Sequence, residues 1–441
     1  MKCGYSIKEI TPPIGCYLSG NTRVRIADGV ADPLYVRAVA FEEDGLAVIL
    51  CFDLIGFIQA EILKVRAWVA ERLGLDAEKV LLTCTHTHTA PNIHSRFFPK
   101  TEYLMTSMKD LALAAAQDAI SDLKEAKASF ARSELSGIAF TRRYRMRDGS
   151  AKTNPGRRNP LVAGPLSPAD ETIQLLKFER EEGDDIVLVN FQVHPDVRGS
   201  KEGPKISADY PGVVCKTLEG ALPGTRCIYF NGTSGDLNHV DVNCPAWDKN
   251  SGPAQVLHMG RTISGKILSM YTKARPVETG PVRTAQLDVT VPARECSPEE
   301  IATAKQYMEW YLAGEEDKIP LEKGNLTVLV YEALGVVVAE ESGGSFTMPV
   351  TGVAMGDISF VGIPGEAFCE IGRQIRETSP FSAHFMMGLT HGYPDYFPMK
   401  DAFEVDGYES RSSPYRSGVG EAMAEAGKRL TAELYEKSKK N

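Results

Sequence analysis

Apolar residues in this chain fall into short unbroken runs separated by amphipathic stretches. Leu46–Phe52 (LAVILCF) is continuous apolar sequence ending at Asp53, the pattern of a strand buried on both faces. Gln59–Leu73 then places Ile62, Leu63, Val65, Trp68 and Val69 at helical spacing. Val80, Leu81 and Leu82 form a second buried strand, and 103–126 reads as a long Ala- and Leu-rich helix with Asp and Lys on its outer face. Further strands are expected at 186–194, 226–230, 358–363 and 384–389, with helices from Val213, from Ala367 and over 418–437. This β-α-β-α rhythm predicts an α/β fold with buried strands, where ligands collect at the carboxyl ends of the strands.

Composition narrows the class. The chain has 441 residues, 43% apolar and 24% charged, with a net charge of -9. That is an ordinary globular balance with no general positive field for nucleic acid or an anionic membrane, so neither partner is expected. Nothing reads as a linker, and residues 1–441 are taken as a single catalytic unit with 296–345 as an insertion or lid. The helix of that insertion is signalled by Ser297 as N-cap with Pro298 and Glu300. The N-terminus lacks an apolar signal region, and the longest apolar stretch, 46–58, is interrupted by Asp53, too short to span a bilayer. Nine cysteines are scattered without CxxC spacing, as free thiols of a cytoplasmic protein would be. Cys84, two residues before His86, is weighed as a site residue against a small core residue.

The chemistry concentrates at 79–94, KVLLTCTHTHTAPNIH, which holds His86, His88 and His94 among the chain's eight histidines. On an extended segment, histidines two apart point the same way, and imidazoles at the end of a rigid strand suit a metal; exposed histidines in a Thr-rich turn are the bland alternative. A second strand ends in His194-Pro195, and a third in Pro364-Gly365-Glu366, where a carboxylate is equally a metal ligand or a helix N-terminal residue. The turn 231–236 (NGTSGD) either admits a ligand close to backbone amides or is a plain loop. The cluster Arg142, Arg143, Arg145, Arg147, Lys152, Arg157 and Arg158 surrounds the hairpin signal Asp148-Gly149. It is either a solvated hairpin or the means of gripping an anionic substrate group.

THTHTAP (85–91), HP (194–195), ISADYPG (206–212), NGTSGD (231–236), IPGE (363–366) and the tyrosine segment 393–409 occur in the order seen in neutral ceramidases. The chain resembles the catalytic domain of that neutral/alkaline ceramidase superfamily, from EITPP to GYE. The resemblance implies mixed β-sheets flanked by helices, with metal ligands at strand ends. It also implies one zinc ion held by His86, His194, Glu366 and Tyr396, with His88, Tyr408 and Arg142 acting on the amide carbonyl. Two departures follow. The family's serine nucleophile is replaced by Asn238 in GDLN, and no immunoglobulin-like domain is expected after the final helix. With Asp236 and Asn238 left as substrate-binding candidates, the expected function is zinc-dependent hydrolysis of a C-N amide bond in a small soluble N-acyl compound. Zinc-bound water attacks, and Ser207 and Ser234 are alternative nucleophiles. An esterase or lactonase on the same zinc site, a true ceramidase, and a non-catalytic metal-containing binding protein are the competing readings.

Overall fold

The apolar runs become the inner strands of two sheets packed face to face. The computed structural model describes residues 1–245, 247–405 and 407–439, so Ala246, Asp406 and the last two positions of the expected unit lie outside the described residues. The larger sheet runs, in spatial order, Thr225–Asn231, Asp185–Phe191, Thr172–Arg180, Lys124–Glu134, Lys2–Glu9, Tyr35–Glu42, Leu46–Phe52 and Val80–Cys84, and Arg275–Pro276 pairs with Lys124–Glu134. The second sheet is Val282–Pro292, Ser345–Met355, Ile358–Gly362 and Ala383–Met387. Phe41 of the first lies 5.6 Å from Phe360 of the second, and Phe230 and Phe385 close the same contact. Stacked, tilted and edge-on aromatic pairs of this kind add to the stabilisation from the area they bury.

Helices cover the outer faces. Gln59–Leu73 and Glu102–Ser121 pack on one half of the larger sheet, Asp209–Ala221 and Pro253–Tyr271 on the other, and Cys369–Thr378 with Val419–Lys439 on the smaller sheet. The result is an α/β fold of mixed sheets flanked by helices. Among the described residues no helix is long and apolar enough to cross a membrane. All nine cysteines are free, and Cys84 is a core residue.

Two expectations need revision. The helix placed at 103–126 stops at Ser121, and Lys124–Glu134 is instead a strand paired along Thr172–Arg180. Lys and Ala favour helix locally, but nine cross-strand partners override that preference. The sheets are also more antiparallel than the β-α alternation suggests, because Lys2–Glu9, Tyr35–Glu42 and the 124–180 strands join without intervening helices.

The parallel pairings position the site. Leu46–Phe52 runs parallel to Val80–Cys84, Asp185–Phe191 to Thr225–Asn231, and Ile358–Gly362 to Ala383–Met387. Their carboxyl ends meet at one rim, where Gly388 N–H donates to Asn231 O (3.0 Å), Gly235 N–H to Ala367 O (2.9 Å) and His86 N–H to Leu54 O (2.9 Å). Residues 296–345 supply a helical hairpin, Pro298–Leu312 and Leu326–Glu341, with its own apolar cluster around Phe97, Met308 and Tyr311. Its first helix carries the capping box expected at Ser297, whose Oγ accepts from Glu300 N–H while Glu300 accepts from Ser297 N–H.

Away from the rim, His384 sits fully enclosed between Ser359, Ser379 and Met386. Burial, reinforced by the Arg376 charge, pushes its pKa down to about 3. The folded protein therefore keeps this imidazole neutral while the unfolded chain protonates it near pH 6.5. Its contribution is complete above that pH and is lost as the pH falls toward 3. Urea unfolding at successive pH values should show a loss of about 1.4 kcal/mol per unit from this group alone. His384→Gln should flatten the slope by that amount; an unchanged slope would mean that His384 titrates normally.

Candidate metal centre and active site

The strand Val80–Cys84 ends two residues before His86, which takes a left-handed backbone (φ 73°). This is uncommon for a non-glycine residue and turns the chain sharply. The two rings of the HTH segment are therefore not parallel, as an extended segment would make them, but perpendicular, with centroids 4.9 Å apart. They converge by their tips. His86 Nε2 is 3.3 Å from His88 Nε2 and 3.2 Å from His194 Nε2. Glu366 Oε2 completes the set at 2.9 Å from His194 Nε2 and 3.4 Å from His86 Nε2.

The opposite ring nitrogens settle the tautomers. His86 Nδ1 faces Ile55 O at 2.6 Å, His194 Nδ1 faces Ser234 O at 3.0 Å, and His88 Nδ1 faces Gly20 O at 3.0 Å. A carbonyl oxygen only accepts, so each Nδ1 carries the proton and each Nε2 presents a lone pair. Three lone pairs and a carboxylate oxygen that receives no hydrogen bond thus point at one buried place. Such a set repels itself unless a cation lies within it, and imidazole and carboxylate donors held by outer carbonyls are what a divalent transition metal takes. Glu366 has the same requirement: burial disfavours its charged form, so an ionised carboxylate here needs positive charge beside Oε2.

His88, expected beside the substrate carbonyl, also turns its Nε2 toward this set, and of the three rings it is the one that lines the cavity described below. Tyr396 stands next to Glu366 in strand register, with the Arg142 guanidinium over its ring at 5.2 Å. The hydroxyl that reaches Glu366 is that of Tyr393, which donates to Oε1 at 2.5 Å and leaves Oε2 for the histidines. No pattern in the sequence marked Tyr393 for this role; its three-residue spacing from Tyr396 becomes informative only once the loop is folded. Arg25 also escaped notice: 63 residues from His88, it donates to the His88 carbonyl at 2.8 Å.

Beside the donor set lies a cavity of about 370 Å³. His88, His94, Tyr393, Asp395, Tyr396 and Tyr408 form its polar wall, and Phe97, Leu334, Val338 and Phe346 an apolar one to which the hairpin of 296–345 contributes. Burial pushes the Tyr408 phenol well up, with the Tyr396 and Tyr331 phenols in support, so it is a neutral donor.

The basic cluster does not reach this space. Arg142 Nε donates to Glu409 Oε1 at 2.6 Å and its Nη2 to Gly235 O at 2.6 Å, while Arg145, Arg147, Lys152, Arg157 and Arg158 are exposed around the hairpin. Arg142 and Arg143 are buried near Glu409, and none of the seven lines the cavity. The expected grip on an anionic group is corrected accordingly, because Glu409 neutralises the inward arginines and the strand register turns the others to solvent.

Asp236 and Asn238 also face away. Asp236 accepts from Cys369 N–H at 2.7 Å and lines a separate hollow with Arg143 and Phe368. Asn238 Nδ2 donates to Asn154 Oδ1 at 2.6 Å and its Oδ1 accepts from Val240 N–H at 3.0 Å. Pairing of Leu237–Asn238 with Phe140–Thr141 turns both from the cavity. Ser207 Oγ is engaged by Asp32 at 2.6 Å, and Ser234 contributes its carbonyl to His194.

The glycine-rich turn admits the chain itself rather than a ligand. A Cβ on Gly235 would lie 2.3 Å from Glu366 O, a backbone atom that cannot yield without moving the ligand. Gly235→Ala is expected to weaken metal binding about 10- to 100-fold, as outer-shell changes do, measured by chelator competition on protein shown folded by circular dichroism. Unaltered affinity would mean that the Glu366 loop tolerates the shift.

No protein-family model matches the chain. Solved structures do. A neutral ceramidase from Pseudomonas aeruginosa superposes with TM-score 0.74 at 19% identity, over 100% of this chain and 75% of that one. A ceramidase complexed with C2 gives 0.72 at 16% identity, over 99% and 75%. The chain therefore has the neutral ceramidase fold, over its whole length and three quarters of theirs.

Proposed function

We propose that this protein is a zinc-dependent hydrolase that cleaves the C-N amide bond of a small soluble N-acyl compound, with water rather than a side chain as nucleophile. The observation that carries the reading is the convergence of three imidazole Nε2 atoms and Glu366 Oε2 beside a partly apolar cavity that His88 lines. Two solved chains of the same fold are ceramidases, which supports amide cleavage. His86, His88, His194 and Glu366 would hold the ion, with Tyr396 beside them. When bound, zinc would lower the pKa of water and polarise the scissile carbonyl.

The remaining groups orient and stabilise. Tyr408 and Tyr396 present phenols to the cavity, and a neutral phenol in a dry site donates to the oxygen on which charge develops. Arg142, lying over both rings and held by Glu409, fixes those phenols from behind. Of the alternative nucleophiles, Ser207 donates its hydroxyl to Asp32, Ser234 Oγ accepts from Asn231 Nδ2, and neither lines the cavity, which favours water.

The test is metal analysis of protein purified without added zinc, then hydrolysis of short N-acyl compounds beside ceramide and matched esters. One zinc per chain and fastest turnover of a soluble amide are the expected results. Under single turnover, mass spectrometry should find no acyl group on the protein. An adduct on Ser207, Ser234 or any other side chain would replace water with a covalent route, and faster turnover of ceramide would move the substrate to lipid.

A further inference from the structure

The cavity wall carries one carboxylate among the described residues that the chemistry above does not use. Asp395 lies between Tyr393 and Tyr396 in a left-handed backbone (φ 89°), which a non-glycine residue adopts at a cost. Two local bonds hold that conformation: Asp395 O accepts from Glu366 N–H at 2.9 Å, and Oδ1 accepts from Tyr396 N–H at 2.9 Å. The carboxylate makes no hydrogen bond or ion pair to another side chain among the described residues, and Asp395 lines the cavity. The other formally charged residue on the wall, Arg96, pairs outward with Glu341 at 2.8 Å. An anionic substrate group beside Asp395 would meet a carboxylate, and a cationic one would find an acceptor that forms no ion pair among the described residues.

We infer that Asp395 is a specificity-determining residue that binds an ammonium group of the substrate, so that the preferred substrates are N-acyl compounds carrying a second, protonated amine. This rests on the hydrolase reading of the same site. The apolar wall of Phe97, Leu334, Val338 and Phe346 takes hydrocarbon, and Asp395 takes the charge. A charge-assisted contact in a water-poor cavity is stronger than its neutral counterpart.

Three compounds with one acyl group test it: N-hexanoyl-1,4-diaminobutane, N-hexanoylbutylamine and N-hexanoyl-4-aminobutanoate. The zinc-loaded wild type should show kcat/KM at least tenfold higher for the first than for the last, with the neutral compound between. Asp395→Asn, whose side chain also tolerates positive φ, should bring the three within about threefold. Asp395→Gly, which suits that backbone and removes the carboxylate, should do the same and serves if the first variant folds poorly. Preference for the carboxylate compound, or an ammonium preference retained in both variants, overturns the inference. If the wild type hydrolyses none of them, the hydrolase reading fails and calorimetry with butylammonium and butanoate decides the subsite. Binding of butylammonium at least tenfold tighter than butanoate, lost in both variants, sustains it, and equal binding sinks it.

Discussion

Alanine at His86 or at His194 is expected to strip the metal and lower kcat/KM by at least about 10³-fold, the loss of roughly 4 kcal/mol of transition-state stabilisation. Each ring supplies one of the convergent Nε2 atoms, and each is held by its own carbonyl, Ile55 O or Ser234 O, so no neighbour can replace it. The metal content of each variant should be read by elemental analysis alongside hydrolysis. Because the ion binds the folded state, loss of the site should also remove the drop in melting temperature that a chelator causes in the wild type. Full metal occupancy in both variants would place the ion elsewhere. Variants that retain activity without metal would end the metal-dependent reading altogether.

Glu409→Ala should destabilise the fold by about 3–5 kcal/mol in urea unfolding, the cost of leaving a buried charge uncompensated. Glu409 is fully buried, accepts from Arg142 Nε at 2.6 Å and from Thr153 Oγ1 at 2.7 Å, and has Arg143 Nε at 4.0 Å. Its removal would strand the Arg142 guanidinium beneath the tyrosines of the cavity wall and that of Arg143 against Phe368. The double variant Arg142→Met with Glu409→Leu should recover part of the loss, since a matched apolar pair is cheaper than a broken ion pair. A loss below about 1 kcal/mol in the single variant would show that water reaches the pair and screens it. Activity lost in the double variant while stability is regained would assign Arg142 its role through Tyr396 and Tyr408.

The elements that carry the site were readable because their signals are local. A buried strand is a run of apolar residues, and 46–52, 80–84 and 358–362 each announce themselves without reference to anything distant. The residues just past those ends were visible as candidates for the same reason, and the resemblance to neutral ceramidases made His86, His194 and Glu366 an expected ligand set. The boundaries that failed, at Ser121 and Lys124, are where pairing with Thr172–Arg180 outweighs helix propensity.

What each polar residue faces was a different matter. His88 joins the donor set because His86 bends the backbone at φ 73° and because Gly20 and Arg25, from the N-terminal loops, fix its ring and carbonyl. Tyr393 rather than Tyr396 reaches Glu366 because the strand register Glu366↔Tyr396 leaves the preceding turn above the carboxylate. Arg142 is turned from substrate ligand to buried support by Glu409, 267 positions away. The sequence by itself determined which imidazole and carboxylate side chains stand at which strand ends, since those follow from neighbours along the backbone. The tertiary structure alone decided which of those groups converge on one another, which are neutralised by partners and which border the cavity. Those relations are distances of about 3 Å between residues that only folding brings together, and no local pattern encodes them.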